Sequence, residues 1–186
     1  MQFIPPLIEV GEFLPETVKK LKRLQRQASR HYEKLKKKGG EHRYEKTSNL
    51  LKLEIKIRLI HKRLNNIRTA HLHQATSKLV KANPEYIVVE DLNISGMIKN
   101  RHLARAIQEQ KLYEFRRQLE YKCQWYGVRL IIADRFYPSS KTCSQCGRIK
   151  RDLRLSDRTY RCGCGLHIDR DLNAAINLRE YGRLAS

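Results

Sequence analysis

Five cysteines and a few carboxylates are the residues of this 186-residue chain whose types and spacing can do chemistry. Cys143-Ser-Gln-Cys146-Gly147 is a CxxCG turn, and Cys162-Gly-Cys164-Gly165 is its mate, with one residue between the sulfurs. Two such pairs bring four soft thiolates to one ion, and the glycine after each pair lets the chain turn past it. The donor set calls for zinc in a closed, four-coordinate, structural site. No position is left open for a reacting water. The segment between the pairs, KRDLRLSDRTY, is basic and suited to a nucleic-acid backbone. Cys123 stands apart, on the apolar side of a helical stretch, and reads as a core residue.

Glu90 closes an apolar run, and Asp171 opens a helical one 81 residues later; Asp91 and Asp169 are their neighbours. Where a strand end meets a helix start, such acids can share hard divalent cations. Mg²⁺ is held by one or two carboxylates plus phosphate, and two such ions cleave phosphodiesters in line. The same residues read equally well as a loop acid and a helix cap. Residue type alone leaves both readings open.

The elements that must place these residues follow from periodicity. Pro5, Pro6 and Pro15 make residues 1–17 irregular. Thr17 is a candidate cap for a helix starting near Val18, with Leu21, Leu24, Ala28 and Leu35 as its apolar stripe and Gly39-Gly40 as its end. A second helix is expected over Ser48–Lys81, with Leu50, Leu53, Ile57, Ile60, Leu64 and Ile67 on its apolar side. Together, residues 18–82 read as a basic antiparallel helical hairpin. Tyr86–Val89 reads as a buried strand, 94–102 as a polar loop, and Leu103–Tyr126 as one helix. Leu112, Phe115, Leu119, Cys123 and Tyr126 would turn inward, and Gly127 would end the helix. Val128–Ala133 is a second buried strand, so the unit is βαβ and its strands should be parallel.

Charge points to the partner. Lys plus Arg number 39 against 19 acids, a net charge of +20, and residues 1–82 carry +13 of it. Self-repulsion on that scale suits a polyanion-bound state. Lys22, Arg23, Arg26, Lys52, Lys56 and Arg63 are the candidate phosphate contacts. Nothing resembles a signal peptide or a membrane span, and thiol usage fits a reducing compartment, so a cytoplasmic or nucleoid-associated protein is expected.

Three stretches carry a family resemblance. They are Ile87-Val-Val-Glu90-Asp-Leu-Asn93 with Ser95-Gly-Met97; Arg117-Gln-Leu-Glu-Tyr-Lys122 through Trp125-Tyr-Gly127 to Phe136-Tyr-Pro-Ser-Ser-Lys-Thr-Cys143; and Cys162 to Asn177 with Asp169-Arg-Asp-Leu-Asn-Ala-Ala. Together they resemble the C-terminal half of the TnpB proteins, transposon-encoded RNA-guided DNA endonucleases related to compact type V CRISPR effectors. The resemblance implies an α/β fold: a RuvC-type, ribonuclease-H-like sheet, incomplete here, over 83–140 and 166–180, interrupted by a zinc ribbon at 141–165; residues 181–186 read as a frayed tail.

It also implies three Mg²⁺-holding acids. The second matches Glu90 and the third Asp171, with Asp169 and Asp91 in reserve. The first family acid sits in an apolar-Asp-Leu-Gly context, and no Asp precedes Asp91 here; Glu9, Glu12 and Glu16 lack that context. The chain therefore reads as a truncated member that binds DNA, and guide RNA where one is supplied, and is cleavage-deficient alone unless a protein partner provides the missing strands and acid. A nuclease-dead regulator, a decayed reading frame, and a basic zinc-ribbon protein of the ribosome or RNA processing are the rival readings. The last leaves Glu90 and Asp171 unexplained.

Overall fold

The computed structural model describes residues 13–39, 45–154 and 156–185. Glu9, Glu12 and most of the irregular segment expected at 1–17 lie outside them. The first helix, α1 (Phe13–Gly39), begins earlier than Val18. Pro15 lies in its first turn, where a missing N–H costs nothing because the first four donors have no intrahelical acceptor. The second, α2, spans Ser48–Lys81 as expected. It stops where Asn83 takes a left-handed φ of 48° ahead of Pro84.

Described residues up to Leu72 form one compact unit and those from His73 onward a second. In the first unit, Tyr32 donates to Glu54 and the side chains of Gln25 and His61 meet at 3.4 Å. Seven residues back on α1 correspond to seven forward on α2, so the pair is antiparallel. Leu21, Leu24, Ala28, Leu50, Leu64 and Leu72 are buried. Each buried leucine among them contributes roughly 1.5–3 kcal/mol.

In the second unit, β1 (Tyr86–Glu90) leads through two short helices, α3 (Ile94–Lys99) and α4 (Ala104–Gln110), into α5 (Leu112–Tyr126) and β2 (Arg129–Ala133). Two expectations are corrected here. Residues 94–102 are not all loop, because the Asn93 side chain accepts the Gly96 N–H at 3.0 Å and nucleates α3. The long helix is interrupted at Lys111, whose φ of 52° ends α4 and starts α5. Gly127, at φ 67°, caps α5 as expected.

β1 and β2 pair in parallel, Tyr86 opposite Arg129 and Glu90 opposite Ala133. Neither strand is fully buried, contrary to expectation: β1 is half-buried with Glu90 exposed, and Ile132 is 40% exposed. A sheet of two strands, all that the described residues provide, cannot bury both faces along its length. On one face Ile87, Val89 and Leu130 pack on Val80, Leu119, Cys123 and Val128. Cys123 is thus the core residue expected, whereas Tyr126 is exposed rather than inward. On the outer side of α5, Tyr121 and Trp125 meet edge to face at 4.7 Å, with Trp125 74% exposed.

A polar seam joins α5 to the end of α2. Lys122 is buried and donates from Nζ to His73 O (2.9 Å), Thr76 Oγ1 (2.7 Å) and Ser77 Oγ (2.8 Å). Thr76 donates to Gln118 Oε1 at 3.0 Å, and Gln118 donates to Glu114. Desolvation holds the Lys122 pKa below its ordinary value. Sliding either helix by a turn would strand this ammonium, so the seam fixes their register.

The chain then forms a small hairpin, β3 (Thr159–Arg161) against β4 (His167–Asp169), and ends in α6 (Arg170–Leu184). α6 covers the other face of β1, where Tyr86 and Val88 point. Gly182 makes this approach possible: a Cβ there would sit 2.5 Å from both Tyr86 Cε2 and Val88 Cγ2. Gly182→Ala is expected to destabilise the fold by about 1–3 kcal/mol through overpacking. Thermal unfolding measures it, and an unchanged midpoint would mean that α6 does not lie this close.

Candidate functional site

The cysteine module is built from two tight turns. Cys143 N–H donates to Arg148 O and Gly147 N–H to Cys143 O, both at 2.9 Å, with Gly147 at φ 74°. Gly165 N–H donates to Cys162 O at 3.1 Å, with Gly165 at φ 98°. Tyr160, fully buried between the turns, donates its hydroxyl to Lys141 O at 3.0 Å. Burial pushes its phenol up to about 12. The four Sγ atoms lie within 4.8 Å of one another, with Cys143–Cys164 and Cys146–Cys162 at 3.6 Å. A tetrahedral ion with bonds of about 2.3 Å puts its sulfurs about 3.8 Å apart. The cluster can therefore close on one metal ion. The backbone N–H of Cys164 favours the Cys162 thiolate and draws that thiol down to about 7.

Glu90 lies at the carboxyl end of β1. By strand alternation it shares the face of Tyr86 and Val88, the face that α6 covers. Its Oε1 accepts a 2.6 Å hydrogen bond from Ser139 Oγ. A pocket of about 420 Å³ opens at this end of the parallel pair, lined by Glu90, Asp91, Asp134, Arg135, Ser139 and Leu178 among others. Asp91 is committed elsewhere in the pocket. Arg135 (2.6 Å) and Arg116 (2.9 Å) clamp its two oxygens, and their hydrogen bonds hold its carboxyl below the usual range.

Asp169 caps α6, accepting from the N–H groups of Asp171 and Leu172. Asp171 is exposed in the first turn, with Arg170 at 3.5 Å. It does not line the pocket. Its relation to Glu90 runs through α6. Tyr86 donates to Arg179 O, and Gly182 abuts Tyr86 and Val88. Near the Glu90 end, Asn177 Nδ2 donates to Ser139 O. α6 thus runs antiparallel to β1, and its N-terminus points past the strand end. Asp171 lies two turns from Leu178 on the same side of α6, and Leu178 lines the pocket. Among the described residues, the cysteines are the one group of three or more candidate ligands that converges.

Lys22, Arg23 and Arg26 are exposed on α1, and Lys52, Lys56 and Arg63 on α2. Sequence reading missed Ser139, Asn173, Asn177 and Tyr160. Buried asparagines inside a helix are a usable signal, because a buried amide must be satisfied by something outside the helix; the serine carries no such mark.

Two family models match. One, described as "Probable transposase" (OrfB_IS605), matches residues 8–101, and the other, described as "Cas12f1-like, TNB domain", matches residues 113–178. The chain belongs to the TnpB family. A relative from Streptomyces pristinaespiralis, named "Putative RNA-guided DNA endonuclease", is 41% identical over 140 residues, covering 75% of this chain and 35% of its own. Another so named, InsQ of Escherichia coli (strain K12), is 34% identical over 180 residues, covering 88% and 41%. The chain thus spans 35% and 41% of the length of these two relatives. A Cas12f1 chain solved by cryo-EM with sgRNA and target DNA shares the fold over 68% of this chain and 37% of its own, with TM-score 0.55 and 19% identity. Among the described residues no helix is long and apolar enough to cross a membrane.

Proposed function

We propose that this chain is a nucleic-acid-binding portion of a TnpB-type, RuvC-like nuclease. In this reading the four cysteines hold one structural zinc ion, and Glu90 with Asp171 holds Mg²⁺. The helical hairpin grips a DNA or RNA backbone through Lys22, Arg23, Arg26, Lys52, Lys56 and Arg63. The observation that carries it is the acid at the carboxyl end of a parallel strand, Glu90, facing a helix whose N-terminus brings Asp171 toward the same end. α/β sheets place their ligands at such strand ends. Glu90 is exposed on a pocket, and its Oε2 has no partner among the described residues, which suits a hard cation. Bound Mg²⁺ would supply charge neutralisation at a scissile phosphate. Glu90 and Asp171 would anchor it, and the arginines around Asp91 would keep that acid out of the ligand set.

The 186-residue polypeptide by itself is proposed to bind without efficient cleavage, because no Asp precedes Asp91 to complete a three-acid set. The test is incubation with single-stranded and duplex DNA, with Mg²⁺ or Mn²⁺ and with or without candidate RNA, beside Glu90→Ala. The expected result is no cleavage above the Glu90→Ala background. Robust cleavage that the variant abolishes would overturn the inactive reading and require an acid from another segment or subunit.

A further inference from the structure

The cysteine module and the strand-end carboxylate are joined by a continuous set of short polar contacts. Ser139 is 5% exposed and donates to Glu90 Oε1 at 2.6 Å. Its own carbonyl is held by Asn177 Nδ2 at 2.7 Å. The same amide group donates to Thr142 O at 2.7 Å, and so does Asn173 Nδ2. Asn173 Oδ1 in turn accepts the Ser144 N–H at 3.0 Å, next to the first metal-binding cysteine. Asn173 and Asn177 are buried and four residues apart, one above the other on α6. Their amides therefore fasten the turn 139–144 at both ends. That turn carries Ser139 at its start and Cys143 near its close.

We propose that Ser139 is a positioning residue for Glu90, and that the cysteine module, through Asn173 and Asn177, sets where that carboxylate points. The proposal rests on the reading of Glu90 as a cation ligand. A hydroxyl donating to Oε1 leaves Oε2 available at the pocket that Glu90 lines and removes one rotational choice from a side chain that is otherwise exposed. Charge-assisted O–H···O⁻ bonds of this length are the strong kind. Groups of this type, one bond removed from a metal ligand, typically change metal affinity by about 10–100-fold when lost. The module is in this sense a bracket for the strand end as well as a fold of its own.

The experiment measures Mn²⁺ binding to the full 186-residue chain by electron paramagnetic resonance, with the metal content of the cysteine site measured in parallel. Glu90→Gln, Ser139→Ala and Ser139→Thr are compared with the parent. Ser139→Ala is expected to weaken Mn²⁺ binding at least about tenfold with cysteine-bound metal unchanged, and Ser139→Thr, which keeps the hydroxyl, to restore most of it. Unchanged Mn²⁺ affinity in Glu90→Gln would sink the cation reading and the positioning role with it. Loss in Glu90→Gln with none in Ser139→Ala would overturn the positioning role alone. Should Ser139→Ala also lose the cysteine-bound metal, failure of Ser139→Thr to recover Mn²⁺ binding while recovering that metal would likewise overturn it.

Discussion

Cys143→Ser is expected to abolish stoichiometric zinc binding and to unfold the segment from Lys141 to Asp169. Elemental analysis of the purified chain would read one zinc per parent molecule and close to none in the variant, with Cys123→Ala retaining the metal. The reason is the small apolar content of the module. Among its described residues, side chains other than buried Tyr160 and Cys143 are exposed or half-buried, and the regular structure is one three-residue ladder and an isolated bridge from Thr142 to Ile149. With the cysteines holding zinc as proposed, metal coordination would supply the folding free energy that packing does not. Structural zinc in comparable small modules contributes about 10–16 kcal/mol at neutral pH. A chelator should melt the module for the same reason. Equal zinc in parent and Cys143→Ser would place the ion somewhere else.

Binding of the chain to single- or double-stranded nucleic acid is expected to fall about a thousandfold between roughly 50 and 200 mM salt, as for proteins making about six or more phosphate contacts. The six candidate cations lie exposed along two antiparallel helices. Lysine and arginine on phosphate displace counterions and read no bases, so sequence preference should be weak. Replacing Lys52, Lys56 and Arg63 together by alanine should reduce the log–log salt slope by about three, because each lost phosphate contact removes about one. A dissociation constant that barely moves with salt would refute the backbone grip.

Much of this architecture could be read from residue order alone, for identifiable reasons. α2 and the parallel β1–β2 pair were legible because α2 is long and free of Gly and Pro, the strands are short runs of strand-forming apolar residues, and Asn83-Pro84 and Gly127 mark the element ends. The cysteine cluster was legible because spacing encodes convergence directly. The break at Lys111 was not, since a lysine at φ 52° leaves no compositional trace. α3 was missed because Ser95 and Gly96 resemble loop residues, while the cap that decides the matter is a single side chain, Asn93. At the candidate site, Glu90 could be nominated from its place after the apolar run. Its partner could not, because Ser139 reaches it across 49 residues and nothing near either residue records the pairing. The half-burial of β1 was also hidden. Val, Ile and Tyr report a tendency to form strands, not the number of neighbours a strand acquires.

The placement of Trp125 has a photophysical consequence. It is the chain's one tryptophan, and its indole faces water on the outer side of α5. Its emission in the native protein is expected to be that of a solvated indole already. Loss of the core around Leu119 and Cys123 would shift it little, and an unfolding curve recorded from it would report the helix surface instead. An indole introduced at Phe115, which packs against that core, would make the collapse of the interior visible to the same instrument.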